Sequence, residues 1–263
     1  MTDERRRLRA TFDGDAELYR RARPGYPPEL FDDLEELAGL APGSRVLEIG
    51  PGTGQATASL AERGYRVVAV ELGAQLAAVA RRELARFPAV EVVNASFEEW
   101  EPAAAGFDAV VAATAFHWLD EDVRFAKPAR LLGAGGALAV IATHHVVPEG
   151  GDPFFHEVQD VYERLGDAGG APGPPEAVGD EWPELDASGL FEPPTVRRYL
   201  WERWYTADEY VDVLNTYSAN LGRPPAERRA LLEELHRRIE ARPDPRVRKA
   251  YLTVLHVARR RAL

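Results

Sequence analysis

Val46-Leu-Glu-Ile-Gly50-Pro-Gly-Thr-Gly54 is the stretch that decides the fold of this chain. Its apolar half, Val46, Leu47 and Ile49, predicts a short strand buried on both faces of a sheet, since such strands are nearly continuous apolar runs. The glycines at alternate positions predict a tight turn directly after that strand. Because glycine lacks a Cβ, it allows a positive φ and lets a ligand lie against the backbone. The stretch therefore predicts a strand that opens into a nucleotide-binding turn.

Helical and strand patterns alternate on both sides of this stretch. The predicted order is helix 28–40, strand 45–49, helix 55–63, strand 66–71, helix 73–86, strand 90–93, strand 107–112, helix 121–132 and strand 136–142. Short apolar strands separated by amphipathic helices indicate right-handed crossovers and a parallel sheet with helices on both faces. The predicted fold class is therefore α/β.

The composition limits the classes of partner. The 263 residues carry a formal net charge of −11 and contain no cysteine. Nucleic-acid affinity rests on clustered lysine and arginine, so this acidic chain favours a small-molecule substrate. No apolar run approaches the ~20 residues that span a bilayer, and the first residues lack the apolar segment of a secretory signal. We expect a cytoplasmic protein with no nucleic-acid or membrane partner.

The α/β rhythm stops near residue 145. Residues 148–194 are dense in proline and glycine, which predicts a flexible lid over 146–194 with a hinge at 166–175. A strand over 195–204, helices over 207–220 and 226–241 and a strand over 251–257 follow. We predict one catalytic domain overall: an N-terminal cap segment and ligand-binding core (1–145), the lid (146–194), and the remaining core strands (195–263) with a helical cap (206–245).

Glu71 closes the second predicted strand, downstream of the glycine turn. A carboxylate at that place can accept hydrogen bonds from both hydroxyls of a ribose. The alternative is that the glycines only make a tight turn and Glu71 is a charge at a helix start. If a nucleoside binds, the two classes are dinucleotides and S-adenosylmethionine. Dinucleotide turns follow G-x-G-x-x-G, whereas the third glycine here comes one place early.

Glu48-Ile-Gly-Pro-Gly-Thr-Gly54 resembles motif I of class I S-adenosylmethionine-dependent methyltransferases, and the similarity covers most of residues 12–145. This resemblance implies a Rossmann-like, doubly wound sheet of seven strands, mostly parallel with one antiparallel strand, plus a helical and loop cap. It implies S-adenosyl-L-methionine as cofactor and S-adenosyl-L-homocysteine as product. The implied contacts are Glu48, Gly50, Pro51, Gly52 and Gly54 to the methionine portion, Glu71 to the ribose, and Leu72, Asn94, Ala95, Ser96 and Phe97 to the adenine.

Asn94 departs from the family pattern, which has an aspartate there. Its amide oxygen would accept from the adenine amino group without a charge.

The segment Ala113-Thr-Ala-Phe-His117-Trp118 follows the fourth strand, where cofactor and acceptor meet in that family. The resemblance implies Ala113 as a cofactor contact and Phe116, His117, Trp118 and His144 as acceptor contacts. With Tyr19…Arg23-Pro-Gly-Tyr26-Pro27, the segment resembles the small-molecule branch that includes trans-aconitate methyltransferases. Tyr19 and Arg23 would then contact the carboxylate end of the cofactor, unless they form a surface helix with a capping arginine.

Several roles stay open at this point. His117 is either a general base, needed only for a hydroxyl, amine or carbon-acid acceptor, or a side chain that supports its loop. The histidines near the end of the fifth strand match no metal-ligand spacing, so we predict no metal site and a solvated segment there. The aromatic set Trp182, Trp201, Trp204, Tyr205, Tyr210 and Tyr217 suits a substrate cage, although core packing explains most of it.

Two other functions compete with a methyltransferase. One is a non-catalytic protein that binds S-adenosylmethionine or S-adenosylhomocysteine. The other is an NAD-dependent oxidoreductase, which the glycine spacing and the absence of a Tyr-x-x-x-Lys pattern disfavour; lysine occurs only at positions 127 and 249.

Overall fold

The computed structural model of the chain describes residues 12–166 and 170–262. Within these residues one sheet contains seven strands: β1 Arg45–Ile49, β2 Arg66–Glu71, β3 Val90–Asn94, β4 Phe107–Ala113, β5 Leu132–Val146, β6 Thr195–Thr206 and β7 Arg246–Arg259. Their order across the sheet is β3-β2-β1-β4-β5-β7-β6. Strands β1 to β5 pair in parallel, and β7 runs antiparallel to both of its neighbours, β5 and β6. The predicted α/β fold with one antiparallel strand is confirmed.

The strand order reverses between β1 and β4. From β1 the chain adds β2 and β3 toward one edge of the sheet, and from β4 it adds β5 toward the other. Val46 of β1 pairs with Val67 on one side and with Ala109 on the other. In an open parallel sheet a crevice forms at this reversal, beyond the carboxyl ends of the strands. The glycine turn, Glu71 and the segment after β4 all lie at that edge.

Helices cover both faces of the sheet and form a cap. They are α1 Ala16–Ala22, α2 Pro28–Ala38, α3 Gln55–Glu62, α4 Ala74–Glu83, α5 Ala126–Leu131, α6 Phe154–Glu157, α7 Gln159–Arg164, α8 Pro183–Ser188, α9 Ala207–Leu214, α10 Ser218–Leu221 and α11 Pro225–Glu240. Among the described residues, the helices are all too short or too polar to cross a membrane.

The alternation of side chains along each strand divides the core between the two faces. Val46 packs with Phe31 and Leu60 on one face, whereas the next residue, Leu47, packs with Phe125 and Leu131 on the other. Because both faces are buried, the central strands are mostly apolar, as the sequence predicts.

The cap has its own apolar core. Phe154, Tyr210, Leu231 and Leu235 pack together with Tyr205 at the end of β6. Arg242 donates to the buried Asp152 carboxylate (Nη2 to Oδ1, 2.8 Å), which joins the end of the cap to the segment after β5. Residues 167–169 of the predicted hinge lie outside the described residues.

Several predicted elements have different bounds in the structure, and for three of them the contacts give the reason. The helix predicted over 121–132 begins only at Ala126, since Asp120 accepts from the Asp122 amide and makes a turn instead. The helix predicted over 207–220 is divided, because the Thr216 hydroxyl and the Asn220 side-chain amide take up carbonyls at the end of α9. Strand β5 continues to Val146, because it pairs with β7 along this length.

Candidate active site

A cavity of about 1260 Å³ opens at the carboxyl ends of β1, β2 and β4. Its walls come from the glycine turn, from the N-terminal segment around α1, from the segment after β4, from the cap around α9 and α10, and from β5 and β7. The cavity therefore joins the edge at which the sequence predicts cofactor binding to surfaces that are remote along the chain.

The glycine turn has the backbone that its sequence requires. The φ angles of Gly50, Gly52 and Gly54 are 65°, 60° and 94°. A Cβ added at Gly50 would lie 2.7 Å from Ala115 Cβ, one at Gly52 would lie 3.3 Å from Tyr19 Cε1, and one at Gly54 would lie 2.9 Å from Leu84 Cδ1. Neighbouring side chains therefore occupy the space that a Cβ would need. Gly54 is the N-cap of α3 and does not line the cavity, whereas Gly50, Pro51 and Gly52 do.

Glu71 lies at the end of β2, buried and against the glycine turn. Its carboxylate accepts hydrogen bonds from the backbone N–H groups of Gly52 (3.0 Å) and Gly73 (2.8 Å). These two bonds fix the carboxylate in the cavity wall.

Glu48 lies at the end of β1 and is only 1% exposed. Among the described residues its Oε2 atom has no hydrogen-bond partner. Burial raises the pKa of Glu48 to about 7; the Thr57 hydroxyl opposes this increase, and the nearby Glu71 charge adds to it. A buried carboxylate oxygen without a donor is costly, so it is suited to a cationic group of a ligand in the cavity. The ammonium of an amino acid is such a group.

The predicted adenine contacts fall into two sets. Leu72 and Phe97 line the cavity, and Leu72 is 40% exposed, which is unusual for a large apolar side chain. Asn94, Ala95 and Ser96 do not line it. The Asn94 side-chain amide instead donates to the carbonyl oxygens of Glu71 and Leu72, both at 2.9 Å, and so holds the end of β2 in place.

The segment after β4 brings two of its three predicted acceptor contacts into the cavity. His117 and Trp118 line it, with ring centroids 4.9 Å apart, as does Ala113. Phe116 does not: it is buried, and its ring packs 5.3 Å from those of Phe125 and Trp182. Phe116 is thus corrected to a core residue, because the short 3₁₀ turn over Phe116–Trp118 points adjacent side chains in different directions.

Thr114 has a φ of 53°, a conformation that is uncommon for a residue other than glycine. Its hydroxyl bonds to the Tyr26 hydroxyl (3.1 Å) and donates to the Ala113 carbonyl (2.8 Å). Strained backbone of this kind often occurs at functional sites, where the surrounding structure maintains it. Thr114 and Tyr26 both line the cavity, and the sequence contained no signal for the strain.

Tyr19 and Arg23 line the cavity, and Arg23 is also the C-cap residue of α1. The Arg23 guanidinium lies over the rings of Tyr19 (5.0 Å) and Tyr217 (4.5 Å), and its Nη2 donates to the Thr216 carbonyl at 2.8 Å. Burial raises the pKa of Tyr19, while the charge of Arg23 opposes this increase. The N-terminal segment is thereby bound to the cap.

The histidines of β5 lie in the strand and not in a solvated segment, so that expectation is wrong. His144 pairs with Leu252 and His145 with Tyr251 of β7. His144 is exposed and lines the cavity, and partial burial lowers its pKa. Burial, aided by the charge of Lys249, lowers the pKa of His145 to about 2, so its ring is neutral. The described part of the chain contains no cluster of three His, Cys, Asp or Glu side chains suited to a metal ion.

Sequence reasoning named Tyr210 and Tyr217 in a possible aromatic cage but missed Lys249 and Tyr251 in the same wall of the cavity. Lys249 on β7 is 1% exposed, and its Nζ donates to the Tyr217 hydroxyl at 3.0 Å. Tyr251 is its near neighbour on the same strand, and Tyr217 comes from the cap. A lysine within an apolar strand was the signal in the sequence, because buried lysine is rare in proteins.

Comparisons with known proteins agree with this geometry. Residues 46–136 match the model of a methyltransferase domain family. An uncharacterized methyltransferase of Mycobacterium tuberculosis (strain ATCC 25618 / H37Rv) is 30% identical over 246 residues, which are 92% of this chain and 91% of that protein. The chain belongs to the methyltransferase family. A solved structure of a proposed type II methyltransferase from Anaeromyxobacter dehalogenans has a TM-score of 0.62 and 28% identity, covering 90% of this methyltransferase and 97% of that chain.

Other members of the family differ in their acceptors. A protein-L-isoaspartate O-methyltransferase of Methylorubrum populi is 40% identical over 134 residues, which are 50% of this methyltransferase and 58% of that protein. S-adenosylmethionine is the methyl donor of this enzyme. Glu48, Glu71 and the glycine turn fit that donor, since they offer a buried carboxylate, a second carboxylate held in the cavity wall, and the backbone of Gly50 and Gly52 in the same wall.

Proposed function

We propose that this methyltransferase acts on a small organic molecule that it encloses beside the cofactor. The observation that carries the proposal is the size of the cavity and its lining by residues of the cap. Its volume of about 1260 Å³ exceeds the roughly 300–1,000 Å³ of a pocket for one drug-sized ligand. Residues of the cap, among them Tyr210 and Tyr217, close the side remote from the glycine turn. A cofactor and a small acceptor fit such a space, whereas a folded protein or a nucleic-acid helix does not.

The residues at the carboxyl edge of the sheet bind and orient the cofactor in this proposal. Glu71 accepts hydrogen bonds from the ribose hydroxyls. The hydrogen bonds that it accepts from the Gly52 and Gly73 amides hold its carboxylate in place. Glu48 receives the ammonium of the methionine portion, and Leu72 and Phe97 pack against the adenine. Tyr19 and Arg23 lie near the carboxylate end of that portion. When bound, the cofactor supplies a methyl group activated by a sulfonium leaving group.

The protein contributes mainly alignment to this reaction. The acceptor atom must approach the methyl carbon in line with the bond that breaks, and positioning of this kind accounts for much of the acceleration. His117 and Trp118 lie after β4, on the side of the cavity from which an acceptor reaches the cofactor. For a hydroxyl, amine or carbon-acid acceptor we propose His117 as the group that removes the proton. An acceptor that is already anionic needs no base.

The resemblance to the branch with trans-aconitate methyltransferases is consistent with this proposal. It rests on His117-Trp118 and on the N-terminal segment with Tyr19 and Arg23, which lies against the cavity. We propose that the described residues of the lid, 146–166 and 170–194, and the helices of 206–245 open and close over the acceptor. Trans-aconitate is therefore one of the acids with which a screen begins.

Two measurements test the proposed function. Isothermal titration should show micromolar binding of S-adenosylhomocysteine and no comparable binding of NAD. Transfer of a radiolabelled methyl group to a panel of small acids, phenols and amines should then identify an acceptor, with denatured protein and a nucleic-acid digest as controls. Methylation of only the protein or nucleic-acid control would contradict a small-molecule acceptor. Absence of S-adenosylhomocysteine binding would contradict the cofactor site itself.

A further inference from the structure

The charges that line the cavity are separated by sign. Among the described residues, its carboxylates are Glu48 and Glu71, at the ends of β1 and β2, while its lysine and arginine side chains are Arg23, Arg223 and Lys249. The carboxylates are close enough for the Glu71 charge to raise the pKa of Glu48. The cations come from the N-terminal segment, the cap and β7. The cavity thus has an acidic side at the ends of β1 and β2 and a basic side formed by these other elements.

Lys249 is the centre of the basic side. Its side chain is 1% exposed, and its ammonium has three donors, of which the Tyr217 hydroxyl accepts one. Within the described residues it forms no ion pair with a carboxylate; its other neighbours are the rings of Tyr210, Tyr217 and Tyr251, at 5.8, 4.8 and 5.1 Å from Nζ. Burial of an ammonium costs several kcal/mol unless it is paired. Aromatic faces offset part of that cost, and donors are left for a further acceptor.

Arg23 adds a second positive charge to the same place. Its guanidinium lies 4.5 Å from the centroid of the Tyr217 ring, and its Nε atom is buried without a hydrogen-bond partner. Burial alone would raise the pKa of the Tyr217 hydroxyl, yet the charges of Lys249 and Arg23 overcome this effect and lower it. The positive charges of Lys249 and Arg23 therefore favour an oxyanion at this place.

The walls around this charge are aromatic and neutral. The rings of His145 and Phe155 meet edge to face at 4.4 Å, and Tyr251 stacks on Trp201 at 4.6 Å. His145 Nε2 is buried without a partner. Because the ring is neutral, this atom offers one hydrogen bond without adding charge. An unsaturated or aromatic body fits against such walls, with its polar end at Lys249.

We propose that the methyl acceptor carries an anionic oxygen, a carboxylate or a phenolate, which binds to the Lys249 ammonium and the Tyr217 hydroxyl. This inference rests on the proposed function and narrows its acceptor to one class of molecule. It also disfavours cationic acceptors such as methylated amines, because Lys249 already occupies the place among the tyrosine rings where an ammonium ligand would bind. If the oxygen at Lys249 is the atom that is methylated, the reaction needs no general base.

The two-lysine composition allows a direct test on the wild-type chain. Incorporation of lysine labelled with ¹³C at the ε carbon gives two signals, and Lys127→Arg assigns them. With the enzyme saturated with S-adenosylhomocysteine, benzoate and 4-nitrophenolate are titrated in separate arms, each against a neutral analogue, benzamide or 4-nitroanisole. We expect at least one anion to shift the Lys249 signal saturably, at concentrations tenfold or more below those that its analogue requires. The Lys127 signal should not move.

The two arms also distinguish the sources of the oxyanion. A response to benzoate alone indicates a carboxylate, and a response to 4-nitrophenolate alone indicates a phenolate. A Lys249 signal that neither anion shifts, or that the neutral analogues shift equally well, overturns the inference.

A pair of variants supports the titration. Lys249→Met should lose the preference for the anion, whereas Lys249→Arg should retain most of it, with S-adenosylhomocysteine affinity within twofold of wild type in both. An unchanged preference in Lys249→Met overturns the inference, and the wild-type spectra decide alone if that variant does not fold. Lack of S-adenosylhomocysteine binding by the wild-type protein would instead indicate failure of the proposed function.

Discussion

Glu48 should contribute less to the stability of the cofactor-free enzyme at neutral pH than in acid. The folded-state pKa of Glu48 is about 7, against an ordinary value of 4.5. Because the folded value is the higher one, the stabilising effect of the protonated form is fully present below pH 4.5 and is lost as the pH rises through 7. The pKa of Glu48 rises from 4.5 to about 7 on folding, and each pKa unit corresponds to about 1.4 kcal/mol. The free energy of unfolding should therefore change by roughly 3 kcal/mol as Glu48 titrates.

The variant Glu48→Gln removes this titration with little change in shape. The difference in free energy of unfolding between variant and wild type should therefore move by roughly 3 kcal/mol in favour of the variant between pH 4.5 and pH 8. Urea unfolding at intervals across this range measures the difference. Glu91→Gln, an exposed change on β3, is the matched control, and its curve should run parallel to that of the wild type.

The same substitution should have the opposite effect on function. The carboxylate that destabilises the empty protein is the proposed partner of the cofactor ammonium, so Glu48→Gln should bind S-adenosylhomocysteine more weakly. In the wild type the affinity should fall from pH 8 to pH 6, because a proton must leave Glu48 on binding, and the variant should lack this dependence. Parallel stability curves for Glu48→Gln and wild type would refute the reasoning about the buried carboxylate. Unchanged affinity would refute its role in binding.

Three further substitutions test separate parts of the site. Glu71→Gln should weaken S-adenosylhomocysteine binding by about 1.5–3 kcal/mol, the range for hydrogen bonds to charged groups; calorimetry measures it, and a dissociation constant equal to that of Glu91→Gln would contradict the ribose role. Gly50→Ala should lower the free energy of unfolding by about 2–5 kcal/mol, from about 1–2 for the positive φ and about 1–3 for the overlap with Ala115. Gly135→Ala is its control: φ is +74° with no atom within 4 Å of the new Cβ, so only the first cost applies, and equal losses in urea unfolding would rule out the overlap. His117→Ala should reduce turnover of a hydroxyl or amine acceptor about 10²–10⁴-fold and abolish the acidic limb of its pH profile. Full turnover with an unchanged profile would leave His117 a structural role.

The part of the site at the carboxyl edge of the sheet could be predicted because the residues that indicate it lie close together along the chain. The strand, the glycine turn and the first helix are contiguous, so the positive φ angles at Gly50, Gly52 and Gly54 followed from residue type and spacing. Glu71 was found for a similar reason, since the next strand of a parallel sheet must end at the same edge. Phe116 was misplaced, because adjacent residues in a 3₁₀ turn face the core or the cavity according to packing that no short motif contains.

The amino-acid sequence by itself determined the α/β class and the strand, glycine turn and helix over residues 45–62, since alternation and glycine spacing act over short distances. Only the tertiary structure decided the basic side of the cavity. Arg23, His145, Tyr217 and Lys249 come from the N-terminal segment, β5, the cap and β7, and they meet because β7 pairs antiparallel with β5 and the cap packs over both. The role that we propose for Lys249 depends on its burial, and burial arises only when the whole chain has folded.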